Sequence, residues 1–181
     1  MMLITSLFAA LILSGYLLAM RTWCGQADMV SDTYYQLRRA CGQGWPFSVV
    51  LLASALMMMV CMLSSGQGLQ CMAFVGTAGL AFVALAPNYL SQDEKAVHKG
   101  GALVAALGCT VWSLTVSPWP TITIAALYAA YLIIYSVAKA MDGVWWIAPC
   151  AKGWHPWYWA EVACFANTFI TYWLCQVKIL L

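Results

Sequence analysis

Three side chains in this 181-residue chain have the type and placement that acid–base or binding chemistry needs: Glu161, His98 and His155. Glu161 lies about one helical turn into an apolar run, between Ala160 and Val162. A carboxylate there must point into a bundle, reach water or take up a proton, because burying it bare is costly. His98, His155 and an arginine of the first loop are the partners in reach. Glu94 stands four residues before His98, so the two share one helical face, and Asp93 adds a second acid beside them. Arg38 and Arg39 end the run that begins at Ser31, where they suit a lipid phosphate, although basic residues at a membrane surface commonly need no ligand. His155 falls in a segment dense in aromatics, from Trp145 and Trp146 to Trp154, Trp157, Tyr158 and Trp159. Most of these are expected to form an interfacial belt. The expectation for the site is a polar pocket with Glu161 as its floor, paired to His98, His155 or Arg38, and with Trp154 and Trp157 as walls. Two histidines in all, one with a glutamate four residues before it, make no metal motif. A bis-histidine haem would need His155 from an irregular loop, so the cofactor is left unassigned.

The elements that must position these groups are set by composition. Hydrophobic residues make up 64% of the chain and charged residues 8%, against about 25% charged in a soluble domain. The net charge of +2 is too small, and the basic residues too scattered, for nucleic-acid binding. A helix crossing the bilayer core needs about 20 mostly apolar residues, and such runs occupy approximately 1–20, 47–65, 69–86, 101–117, 121–138 and 157–177. The fold class expected is all-α: a single domain over 1–181, a bundle of six transmembrane helices with a short interfacial helix in the first loop. Ser-Gly-Gln-Gly and Pro-Trp-Pro join two pairs of runs into tight hairpins. Period-2 alternation, the mark of a transmembrane barrel, is missing from the runs. Ser31 or Asp32 is placed to cap the interfacial helix, and Ser91 to cap a helix running directly into the fourth span. On the face of that helix below His98 come Gly101, Ala105 and Gly108, small residues that let a neighbour approach closely.

Charge orients the bundle. Six spans put Arg21, Arg38, Arg39, Lys95, Lys99, Lys139 and Lys152 on one side and leave Lys178 on the other. The positive-inside rule makes the charged side cytoplasmic and both termini external, as in a bacterial inner membrane. The first span has no basic leader or Ala-x-Ala site and is expected to be retained. Cys24, Cys41 and Cys150 then lie in cytoplasmic loops as free thiols.

His98-Lys99-Gly100-Gly101-Ala102, with Ala160-Glu161 opening the last span, resembles small six-span proteins of the DRAM, Sfk and FGF-receptor-activating-protein family. The Asp-Thr-Tyr-Tyr, Ala-Pro-Asn and Val-His-x-x-Gly-Ala segments are similar to those of uncharacterised bacterial and phage six-span proteins. The resemblance covers about a sixth of the chain and implies the fold; the longer lumenal loops of the eukaryotic relatives have no counterpart here. Two functions stay open. One is a non-enzymatic membrane protein with a cytoplasm-facing pocket that binds lipid, a membrane-protein partner or a second copy. The other is a membrane-embedded lipid-modifying enzyme using His98, His155 and Glu161. The first is favoured, since a few polar residues at an interface are a weak catalytic signature.

Overall fold

A computed structural model describes residues 2–140 and 154–180, and among these every regular element is helical. In chain order they are α1 (Met2–Cys24), a 3-10 turn (Val30–Asp32), α2 (Thr33–Cys41), α3 (Trp45–Ser64), α4 (Gln70–Leu85), α5 (Gln92–Val116), α6 (Pro118–Ala140) and α7 (Pro156–Leu180). Asp142, Trp145, Trp146, Cys150 and Lys152 lie outside the described residues.

The helix ends follow from local chemistry. Gly42 takes a left-handed conformation at φ 72° and closes α2 by donating its N–H to the Arg38 carbonyl, a glycine cap. Pro46 sits in the first turn of α3, where its missing N–H costs nothing. Pro87 disfavours helical backbone in the residue before it, and α4 ends at Leu85. The fourth apolar run begins at 101, yet its helix starts at Gln92, so the polar turns carrying Glu94 and His98 are an N-terminal extension of α5. Side-chain capping differs in part from expectation: Asp32 does not cap α2 nor Ser91 α5 through its side chain, while Asp32 closes a capping box on the 3-10 turn. Ser31 and Asp32 are committed elsewhere, as described below.

Among the described residues four helices are long and apolar enough to cross a membrane: α1, α3, α5 and α6. α4 is apolar but has 16 residues; α7 has 25 residues, with Glu161, Asn167 and Lys178 among its apolar ones. Large apolar side chains such as Phe8, Leu11, Leu103 and Ile133 stand exposed on the outside, which suits a lipid surrounding and not water.

Neighbours in the bundle run α1–α3–α4–α5–α7 and back to α1, with α6 outside against α5 and α7. The tightest seam joins α4 to α5. A methyl group placed on Gly108 would lie 2.6 Å from the backbone of Gly76, and one on Gly101 would lie 2.8 Å from the Gly79 carbonyl oxygen. The small-residue face of α5 therefore meets a matching pair of glycines on α4, at a spacing only glycine permits. The side chains of these five helices do not fill the space between them, which leaves a cavity of about 270 Å³.

Candidate functional site

The cavity is lined mainly by apolar side chains: Leu13 of α1, Phe47 and Leu51 of α3, Leu80 and Val83 of α4, Ala105 and Ala106 of α5, Phe165 and Phe169 of α7. Ala102 and Trp157 line the cavity and are exposed, so it reaches the outer surface between α5 and α7. Its wall also carries Val30, Ser31 and Glu161.

Glu161 enters from the first turns of α7 and meets the 3-10 turn. The Val30 N–H donates to Glu161 Oε2 at 2.7 Å, and the Ser31 N–H bonds to the same carboxylate. The first N–H groups of a helical turn have no partner within it and carry partial positive charge. A carboxylate is their natural acceptor, and charge-assisted bonds of this kind are among the stronger ones. The pairing expected with His98, His155 or Arg38 is replaced by backbone donors. The one ion pair among the described residues joins His155 Nδ1 to Asp28 Oδ1 at 2.7 Å.

Ser31 continues the chain of contacts. Its Oγ lies 3.0 Å from His98 Nε2, and His98 Nδ1 lies 2.7 Å from the carbonyl oxygen of Ala86. A carbonyl can only accept, so Nδ1 carries the hydrogen. In the neutral ring Nε2 then accepts from the Ser31 hydroxyl. Both residues are buried. Glu161 and His98 thus reach the same residue of the first loop, one through its backbone and the other through its side chain, without touching each other.

A second layer fixes the turn. Asp32 accepts from the Met29 N–H at 3.1 Å through Oδ2 and from the Tyr89 hydroxyl through Oδ1. Burial, and after it the bond to Asp32, push the Tyr89 phenol above its ordinary pKa, so it stays a donor at working pH. The Tyr35 hydroxyl donates to Asn88 Oδ1 at 3.1 Å and accepts from the Leu90 N–H at 2.8 Å. Glu94 turns back to the Asn88 N–H at 2.9 Å. The segments 31–35, 86–90 and 94–98 are thereby locked together above the cavity.

The sequence-predicted residues are divided among four places. Glu161 and Trp157 line the cavity, and His98 is joined to it through Ser31. Glu94 holds the 86–90 loop, while Asp93 is exposed. Arg38 and Arg39 are exposed and line a separate surface groove with Asp32, Tyr35, Tyr89 and Leu90. His155 sits against Asp28, and Trp154 stacks on Tyr131 at 5.2 Å between ring centroids instead of walling a pocket with Trp157. Among the described residues no three His, Cys, Asp or Glu side chains come together as a metal site would require. The residues that sequence reasoning missed are Ser31, Tyr89 and the Val30–Ser31 amides. Ser31 and Tyr89 lie within or beside the short segments that carried the family resemblance, which was the available signal. The amides had none.

The fold and site define an all-helical chain with membrane-compatible helices around an apolar cavity that is polar at one end. Compared with known proteins, the chain matches no family model, and no curated protein or solved structure matches it significantly.

Proposed function

We propose that this is a six-span membrane protein that holds the apolar chain of a lipid in its bundle cavity, with the polar end of the lipid against Glu161 and Ser31. One observation carries the reading: the volume of the cavity. The cavity measures about 270 Å³, is mainly apolar and opens to the outer surface between α5 and α7. An engineered apolar cavity of about 150 Å³ already takes up benzene, so a larger one open to the acyl region of a bilayer fills with what surrounds it. The spans of this reading are α1, α3, α4, α5, α6 and α7. α4 is its short member: 16 residues rise about 24 Å against a hydrocarbon core of about 30 Å, a mismatch that local thinning absorbs. The basic residues of the 21–39, 95–99 and 139–152 segments put the polar end of the cavity on the cytoplasmic side by the positive-inside rule. The likeness of the 32–35, 86–88, 97–102 and 160–161 segments to small six-span proteins agrees with the span count. A catalytic site using His98, His155 and Glu161 jointly has less support, because His155 is bound to Asp28.

Native mass spectrometry of the full chain released from mild detergent tests the reading. The expected result is a retained lipid adduct that Ala106→Phe, which puts a ring into the cavity, removes while the melting temperature holds. A wild-type chain that retains no lipid, or a variant that keeps it equally well, overturns it.

A further inference from the structure

We propose that Ser31 and His98 are a nucleophile–base pair that cleaves an acyl ester of a lipid whose chain lies in the cavity. This rests on the binding reading, since the cavity is what brings the ester to Ser31. The first support is distance: Ser31 Oγ stands 3.0 Å from His98 Nε2, within the reach of about 2.6–3.2 Å that a nucleophile and its base need. The second is the tautomer. The Ala86 carbonyl, 2.7 Å from Nδ1, holds the hydrogen on that nitrogen and turns the basic lone pair of Nε2 toward the serine, the role an acidic third residue plays in other triads. The third is placement. Ser31 lines the cavity, and Ser31 and His98 are 7% and 5% exposed, so a substrate reaches the hydroxyl through the apolar cavity. Ester carbonyls of lipids lie at the boundary of headgroup and acyl chain, the depth at which α5 and α7 enter the membrane in the six-span reading.

The turn supplies the remaining part. The N–H groups of Val30 and Ser31 already bond to the carboxyl group of Glu161, beside the nucleophile. Two adjacent amides, one belonging to the nucleophile itself, are the donor set that stabilises a tetrahedral oxyanion, which would take the place of the carboxylate. In the reaction Ser31 Oγ adds to the ester carbonyl carbon as its proton passes to His98 Nε2. The bond from that carbon to the alcohol oxygen breaks, and His98 gives the proton to the leaving oxygen. Water then adds to the acyl-serine, losing a proton to His98, and the bond to Oγ breaks as the proton returns to the serine. The balance is ester plus water to fatty acid plus alcohol.

The test uses the purified full chain in mild detergent with a dodecyl fluorophosphonate, followed by peptide mapping. The expected adduct is on Ser31, with His98→Ala slowing its formation by about 100-fold or more and Ser31→Ala abolishing it. Hydrolysis of a long-chain fluorogenic ester should fall in parallel. Mapping on the wild-type chain needs no variant to fold. A wild type that retains lipid in the mass spectrum but forms no Ser31 adduct overturns the catalytic proposal and leaves the binding reading standing. A wild type that neither retains lipid nor reacts removes both.

Discussion

Two glycines of α5 should respond to the same substitution with opposite signs. Gly100 is exposed, and a methyl group there would meet nothing within 4 Å. Gly100→Ala is expected to stabilise the protein by roughly 0.4–1 kcal/mol, because alanine restricts the unfolded chain and favours helix. At Gly108 the added methyl would stand 2.6 Å from both the N and Cα of Gly76 and 3.0 Å from the Met72 carbonyl oxygen. Carbon atoms settle at about 3.5–4.0 Å, so α4 and α5 must part by nearly 1 Å, and backbone cannot rotate out of the way as a side chain can. Overpacking of this kind costs about 1–3 kcal/mol. The conformational gain is common to both variants, so the difference between them isolates the packing cost and should equal that range. Gly101→Ala, against the Gly79 carbonyl at 2.8 Å, should fall on the side of Gly108→Ala. Unfolding in mixed detergent micelles, titrated with dodecyl sulfate, measures all three. Equal shifts of the same sign at Gly100 and Gly108 would refute the close approach of α4 and α5.

Other substitutions probe the polar end. Glu161→Leu strands the Val30 and Ser31 N–H groups and should cost about 1–3 kcal/mol for each, while Glu161→Gln keeps an acceptor and should cost less; the same micelle titration ranks them, and equal losses would show that the carboxylate is not the partner of the turn. Tyr89→Phe removes a donor from Asp32 and should speed amide hydrogen exchange in residues 29–35 without changing it in α6. In sealed cells a membrane-impermeant maleimide should miss Cys41 and label Cys71 at the opposite end of the bundle, both exposed; labelling of Cys41 would reverse the orientation.

The helices were legible because lipid demands it: every backbone group in the core must be paired within its own segment, so an apolar run of sufficient length has little choice but helix. The glycine face of α5 was legible for a related reason, since small residues at helical spacing have few other uses there. The site was only partly so. Glu161 marks itself by its cost, and a cost calls for a partner, but sequence reasoning searched for one among side chains. The amides of Val30 and Ser31 are present at every residue and carry no signature until a turn aims them. Trp154 and Trp157 are three residues apart at the start of α7, yet the first precedes the helix and stacks on α6 while the second faces the cavity. Composition places such residues at one depth and cannot say which way each one turns.

The bond between Val30 and Glu161 joins residues 131 positions apart. A ribosome adding about 5–20 residues per second reaches Glu161 some 7–26 s after Val30. α3, α4 and α5 are made within that interval, while the first-loop turn has no carboxylate to hold and the cavity has no α7 wall. α7 is thus both a wall of the cavity and the clasp of its polar end, so a chain interrupted before residue 156 displays an open apolar trough with two bare amides at its rim.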